Sequence, residues 1–289
     1  MNKQIVRTLL GHKDVQMGLR CLGSLRKQSA EPVEFCIHDD GTIDNTDKGN
    51  LQETLVNVRF IARKEADHRV ADLLSSYPKC LEFRRKLVFT LKLFDVALLA
   101  EEDSITFCDS DVFFFRPFSG MFSFPDKNAN CIFMQDIQEA YSIRPWHLRP
   151  FGTLRFPHVL NSGLFVIRKN LFDLDALEKF FSLTENPSWS PWLEQTAWGL
   201  LAGNKMGYLW DGDYVKVIQS EKCFRGGIVA GHFVGPVRKL LGKVDTKQVS
   251  TSSYVEIPLT AMKPLTAPQL FLDQLRRYLK TRVFPLFPR

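Results

Sequence analysis

The sequence predicts an α/β fold: one domain with a mixed, mainly parallel central sheet and helices on its faces. Short runs rich in β-branched and aromatic residues alternate with longer stretches of helical periodicity, the pattern of parallel strands joined by helical crossovers. No Pro/Gly/Ser-rich linker interrupts the chain before about residue 240. With 289 residues and 45% apolar content, the chain can bury a full core in one large domain or two small ones.

Each element follows from its residues. Residues 4–10 (QIVRTLL) read as the first strand and residues 15–27 as the helix behind it. Residues 33–38 and 58–62 read as further strands. A longer helical pattern covers residues 84–99, and residues 104–108 form the next strand. The second half offers strands at 131–134, 163–168, 207–210 and 228–234, with helices at 174–183 and 193–202. The domain thus spans residues 1–240, followed by an extension, residues 241–289, with a basic amphipathic helix from residue 267. In that helix Phe271, Leu275, Tyr278, Leu279 and Arg282 fall at helical spacing beside Arg276, Arg277 and Lys280. Such a surface either packs on its own domain or lies on anionic lipid.

A net charge of +6 suits an anionic partner, whether nucleotide, phospholipid or nucleic acid. Lys and Arg are spread along the chain, with short clusters at 84–86 and 276–277 and no nucleic-acid recognition motif, so nucleic acid is not the expected partner. No apolar run approaches the roughly 20 residues of a membrane span, and the first residues carry no signal-peptide pattern. A cytoplasmic location is expected, with peripheral contact at the inner face of the membrane open through residues 267–289. Cys21, Cys36, Cys80, Cys108, Cys131 and Cys223 form no C-x-x-C pair, so buried thiols are expected rather than a zinc site or disulfides.

The chemistry starts at ITFCDSDVFFF, residues 105–115, where two carboxylates interrupt an apolar run. In an extended segment residues i and i+2 share a side, so Asp109 and Asp111 converge on one cation while the Ser110 side chain faces away. Two hard oxygen ligands suit Mn²⁺ or Mg²⁺, ions that keep positions open for substrate phosphates. The pair ends a strand, where open α/β sheets bind ligands. A bare Asp-x-Asp also serves as a plain turn.

Four further elements arrive in order. They are TLLGHKDVQMGLRCLGSL (8–25), Lys92 with Leu93, NSGLFVI (161–167) with Glu194 and Gln195 after it, and HFVGPVR (232–238). With the acidic pair they span most of the chain and resemble the GT-A fold nucleotide-sugar glycosyltransferases of the glycogenin and bacterial galactosyltransferase type, which are family eight-like. The resemblance implies a single Rossmann-like GT-A domain that moves a hexose from a nucleotide sugar, UDP-linked by expectation, with Mn²⁺ or Mg²⁺. It also implies that Asp109, Asp111 and His232 hold the metal. Thr8, Leu9 and His12 would belong to the base-binding turn, and Lys92, Ser110 and Asn161 would contact the donor. Gly235 would let the backbone approach the diphosphate, beside positive charge from Arg238 and Lys239. Asp136 stands where the family contacts the donor sugar, and Glu194 or Gln195 would stabilise the oxocarbenium face or orient the acceptor hydroxyl. Such chemistry needs negative charge stabilised on the departing diphosphate, which a divalent ion does.

Each residue also has an ordinary reading. His232 fits a core position, Lys92 a solvated helix face, Asn161 to Gly163 a turn, and Glu194 a first-turn acid at a helix N-terminus. Departures from the family are informative. Asp39 and Asp40 in IHDDGT resemble a turn of the large inverting GT-A family, and an Asp there can accept a hydrogen bond from uracil N3. Val15 replaces a common Tyr, and Arg238 a Lys. Base and stereochemistry therefore stay open, with retention favoured because the later motifs lie nearest the chemistry. The polar loop 138–158, with Tyr141, Arg144, Trp146, His147, Arg149, Arg155 and His158, either grips the acceptor or is a plain surface loop. The acceptor is a glycan, a lipid-linked sugar or a protein. A nucleotidyltransferase would carry a Gly-rich phosphate loop after its first strand, which residues 8–16 lack. A non-catalytic sugar-binding protein would have no need to keep both acids and His232.

Overall fold

A computed structural model describes residues 3–142, 155–183, 192–224, 227–244 and 253–278. Its strands are β1 Gln4–Leu10, β2 Val33–Asp39, β3 Val58–Ile61, β4 Ser104–Cys108, β5 Val112–Phe114, β6 Phe118–Ser119, β7 Cys131–Gln135 and β8 Phe156–Pro157. Then follow β9 Leu160–Arg168, β10 Gly207–Trp210, β11 Val215–Val217, β12 Ala230–His232, β13 Val255–Glu256, β14 Leu259–Ala261 and β15 Pro264–Leu265. The helices are α1 Val15–Gln28, α2 Asn45–Leu55, α3 Arg63–Leu73, α4 Pro78–Lys86, α5 Thr90–Leu98, α6 Leu174–Ser182, α7 Leu193–Ala202 and α8 Ala267–Tyr278.

The main sheet runs β3-β2-β1-β4-β9-β7-β11-β12-β5, with β10 on β7 and β14 on β10. β3, β2, β1 and β4 are parallel, and Val6 stands between Phe35 and Thr106. β9 is reversed between β4 and β7, which aligns Phe107, Phe165 and Phe133 across the sheet. This is the mixed, mainly parallel α/β sheet the sequence predicts. Successive β9 residues feed opposite faces: Phe165 and Ile167 enter one core, Leu164 and Val166 the other. The sheet therefore lies between two apolar layers.

Local sequence explains the helices. In α1 the buried Gly18, Cys21, Leu22 and Leu25 repeat at three- and four-residue spacing. Asp44 and Asp47 form a reciprocal capping box at the start of α2. The single helix expected over 84–99 is two, broken at residues 87–89, because α4 and α5 pack as separate helices around the pair Arg84 and Asp95. Arg84 donates from Nε to Asp95 Oδ1 at 2.6 Å and from a terminal nitrogen to Asp95 Oδ2 at 2.9 Å. A fork-on-carboxylate contact of this kind is both strong and directional. It fixes α5, which carries Lys92. The basic cluster at 84–86 thus contains a core ion pair.

Beyond residue 240 the chain is stitched onto the domain. β13 pairs with β6, β14 joins the main sheet, β15 pairs with β8, and Leu270 of α8 is buried in the core. All six cysteines are free, five of them buried. Among the described residues no helix is long and apolar enough to cross a membrane.

Candidate active site

Two features of the sheet assemble the site. β5 follows directly from the acidic pair and pairs antiparallel with β12, setting His232 opposite Val112. Phe233 N–H also donates to Asp111 O at 2.9 Å. His232 therefore reaches the acids through ordinary sheet pairing. The second feature is a register shift between β7 and β9: Phe133 faces Phe165, yet Met134 faces Asn161. Such irregularities re-aim side chains beside active sites, and this one carries Asn161, Ser162 and Gly163 to Asp109, whose N–H donates to Gly163 O at 2.7 Å.

Asp109 and Asp111 lie in a turn, not an extended segment. β4 ends at Cys108, and Val112 N–H donates back to Asp109 O at 3.2 Å. The two carboxylates converge because the chain folds over between β4 and β5, so period-two alternation is not the cause. Ser110 is buried and lines the same cavity as both acids.

That cavity, about 800 Å³, opens at the carboxyl ends of β1, β4 and β12. Asp109, Asp111 and His232 bring one ligand atom each within 4.8 Å of one another. His232 Nε2 lies 3.0 Å from Asp111 Oδ1 and 3.7 Å from Asp109 Oδ2. Asp111 Oδ1 is buried and has His232 Nε2 as its near neighbour, without a hydrogen-bond partner of good geometry. A buried carboxylate oxygen without a hydrogen bond, flanked by an imidazole nitrogen and a second carboxylate, is a donor set that fits a divalent cation.

Charge is tuned around this point. Burial works against the Asp111 carboxylate, but His232 and Arg238 outweigh it and hold its pKa down. Burial raises the Asp109 pKa, against the pull of Lys92. Arg238 donates from Nε to Asp111 Oδ2 at 2.8 Å, its side chain half exposed to the cavity. Lys92 is buried, bonded to Asp109 Oδ2 at 2.9 Å and close to Glu194 Oε2 at 3.7 Å; it is no solvated helix lysine.

Glu194 does not cap α7. Its Oε2 accepts from Ser162 Oγ at 2.9 Å, and the residue is buried. Burial, with Asp109 nearby, raises its pKa to about 7 against the opposing pull of Lys92. Gln195 is fixed in one orientation, accepting Ser162 N–H at 3.2 Å and donating to Ala140 O at 3.1 Å. Its Nε2 also reaches Asp136 Oδ2 at 3.4 Å, and Asn161 Nδ2 reaches the same oxygen at 2.9 Å. Asp136, Asn161, Glu194 and Gln195 therefore form one polar wall of the cavity.

At the other end stand Leu9, Gly11 and Asp40. A Cβ on Gly11 would come within 2.2 Å of Asp40 Oδ2, so glycine is what lets this carboxylate lie over the end of β1. Asp39 lies outside the lining, its Oδ1 accepting from Gly41 N–H and Ile43 N–H to shape the turn. Thr8, His12, Gly235 and Lys239 also lie outside the lining. Thr8 is fully buried on β1. His12 bonds Asp47 at 2.7 Å, and with Asp44 they make a second cluster of metal-ligand type, whose acids already cap α2. Gly235 takes φ +56°, the left-handed conformation glycine tolerates, at the start of the 3₁₀ turn that carries Arg238 and Lys239.

In the expected acceptor loop Tyr141 is a core residue whose hydroxyl donates to Pro157 O, and His158 pairs with the buried Glu139. Arg144, Trp146, His147 and Arg149 lie outside the described residues. Among the cavity residues that the sequence does not single out are Asp14, 3.7 Å from Arg238, and Trp192. Neither sits in a recognisable pattern.

No family model and no curated protein matches the sequence. Solved structures do. The galactosyltransferase LgtC, in complex with donor and acceptor sugar analogs, is similar with a TM-score of 0.58 at 12% identity, over 86% of this chain and 98% of that one. Mouse xyloside xylosyltransferase 1, apo form, gives a TM-score of 0.51 at 13% identity, over 80% of this chain and 98% of that one. The glycosyltransferase GlyE of Streptococcus pneumoniae TIGR4 gives 0.52 at 10% identity, over 86% of this chain and 62% of that longer one. The chain therefore has the fold of these glycosyltransferases, GT-A.

Proposed function

We propose that this chain is a metal-dependent glycosyltransferase that moves a hexose from a nucleotide sugar, UDP-linked, to a sugar-bearing acceptor. The observation that carries this reading is the convergence of Asp109, Asp111 and His232 on the floor of the one cavity that also holds Asp136, Asn161, Glu194 and Gln195. Mn²⁺ or Mg²⁺ held by those three residues would neutralise the charge that grows on the leaving diphosphate. Arg238 supplies further positive charge: its guanidinium is half exposed in the cavity and has donors to spare for phosphate oxygens.

The donor runs along the cavity from Asp40 to Gln195. Asp40 rather than Asp39 reads the base, since Asp40 lines the cavity and Asp39 is spent on its own turn. A carboxylate accepting from a base N–H suits the N3–H of uracil. Asp136 and Asn161 receive the sugar hydroxyls, and Gln195 stands at the reacting carbon. Retention is favoured because the later elements of the resemblance, Asn161 to Gly163, Glu194 with Gln195 and His232 with Arg238, are the ones that line the cavity beside the acids.

Hydrolysis of a panel of UDP- and GDP-sugars with and without Mn²⁺ tests this reading, with the anomeric configuration of the released sugar followed by NMR. Metal-dependent cleavage of a UDP-sugar with retention supports it; no cleavage of any donor under any metal removes its basis.

A second reading concerns location. Phe271 and Leu275 share a face of α8 and are 44% and 40% exposed, with Leu272 beside them, while Leu270 anchors the helix in the core. With Arg276 and Arg277 following, this face suits an anionic bilayer, the place of a lipid-linked acceptor.

A further inference from the structure

Asn161 is held in one amide orientation by two neighbours of opposite kind. Its Oδ1 lies 2.9 Å from Gly163 N–H, a group that only donates, and its Nδ2 lies 2.9 Å from Asp136 Oδ2, a carboxylate oxygen that accepts. The amide cannot be turned over without setting donor against donor and acceptor against acceptor. His232 Nδ1 stands 3.0 Å from the same Oδ1. Facing an oxygen whose identity is settled by Gly163 and Asp136, Nδ1 must carry a proton. In the neutral ring the lone pair then lies on Nε2, the atom turned to Asp111 Oδ1 at 3.0 Å and Asp109 Oδ2 at 3.7 Å.

The ring has no second pose. A Cβ on residue 163 would come within 2.2 Å of His232 Cε1 and 2.3 Å of Nδ1, so β9 covers the ring closely. A half-turn about the Cβ–Cγ bond would put carbon against Asn161 Oδ1 and carbon against Asp111, losing both polar contacts.

We propose that Asn161 is a positioning residue for the cation site. By accepting Nδ1–H it fixes the tautomer and the plane of His232, and so sets the affinity for the divalent ion, independently of any contact with donor hydroxyls. The same amide holds Asp136, which ties the metal end of the cavity to its sugar end through one side chain. This inference rests on the metal-dependent reading above. Partners of this kind, one shell out from a metal ligand, typically carry about 10–100-fold in metal affinity.

The test is Mn²⁺ affinity of the full-length, nucleotide-free protein, measured by the loss of the free-ion EPR signal. Asn161→Ala should weaken Mn²⁺ binding about 10–100-fold. Asn161→Asp keeps an oxygen facing Nδ1–H, although its second oxygen opposes Asp136, so it should bind Mn²⁺ more tightly than Asn161→Ala while its donor KM rises. A role confined to sugar contact would raise donor KM in both variants and leave Mn²⁺ binding unmoved, which would overturn the proposal. If Asn161→Ala does not fold, the long-range ¹H–¹⁵N spectrum of the Mg²⁺-loaded wild type decides: a His232 proton on Nδ1 supports the assignment, and one on Nε2 overturns it. Wild-type protein that binds no Mn²⁺ overturns the metal-dependent reading itself, a failure distinct from unchanged binding in Asn161→Ala.

Discussion

Arg238 and Asp111, 127 residues apart in sequence, are joined by a 2.8 Å hydrogen bond from Nε to Oδ2. One residue thus neutralises the outer oxygen of a carboxylate in the proposed cation site while its side chain lines the cavity. Arg238 competes with a cation for Asp111 but favours a diphosphate. Arg238→Ala should therefore leave Mn²⁺ binding unchanged or tighter, yet raise donor KM by about 10–100-fold, the equivalent of one charged hydrogen bond. Steady-state kinetics beside EPR titration checks the opposed directions; a joint loss of metal and donor affinity would contradict the assignment.

Gly163 leaves the His232 ring no room on its β9 side. Gly163→Ala places a methyl carbon within 2.2 Å of the His232 ring. The ring or the local backbone must shift, Gly163 lying in the register break between the pairs Phe133 with Phe165 and Met134 with Asn161. We expect Mn²⁺ affinity to fall by at least about tenfold, with overpacking costing about 1–3 kcal/mol of stability. Thermal unfolding and Mn²⁺ titration of the same variant measure both.

Glu194 makes stability depend on pH in an identifiable window. Burial raises its folded pKa from 4.5 to about 7. The folded state therefore binds the proton more tightly than the unfolded chain. The resulting stabilisation is fully present below pH 4.5 and is lost as pH rises through about 7. Glu194→Gln, which cannot ionise, should not show that loss. The variant should gain on wild type by an amount on the order of 3 kcal/mol between pH 4.5 and 8. Urea midpoints of the metal-free proteins across that range check it; parallel curves would contradict the burial argument.

The two faces of α8 should respond differently. Leu270 is 1% exposed and packs in the core, so Leu270→Ala should cost about 2–5 kcal/mol. Phe271→Ser with Leu275→Ser should change stability by less than about 0.5 kcal/mol each, since both are exposed. On the membrane reading the double variant loses cosedimentation with anionic liposomes. Unchanged cosedimentation would remove that reading and leave α8 as packing alone.

Much of this was legible in the sequence because the relevant signals are local. The strands at 4–10, 104–108 and 207–210 and the helix at 193–202 appear with the expected bounds, since each is a contiguous run of one period. Helices α2 and α3 were missed because they are polar surface helices without a strong apolar stripe, and β5, β11 and β13 to β15 because strands of two or three residues carry no period. In the site, Asp109, Asp111 and His232 converge as the motif order implied. What the sequence could not show is how they converge. The pair sits in a turn at Asp109 rather than in an extended segment, and the β7 to β9 register shift that delivers Asn161 depends on partners 25 or more residues away. Asp39 and His12 make local turn and capping bonds and lie outside the cavity lining, a placement that their residue types do not signal. Asp14 joins the site only through Arg238, a contact no local pattern encodes.

The central claim is that Asp109, Asp111 and His232 hold a cation which offsets a nucleotide diphosphate. Crystals grown with Mn²⁺ and UDP, measured at the manganese absorption edge, test it most directly. The expected result is one anomalous peak ligated by both carboxylates, His232 Nε2 and diphosphate oxygens. A peak at His12, Asp44 and Asp47 instead, or UDP bound with no metal beside Asp111, would contradict it.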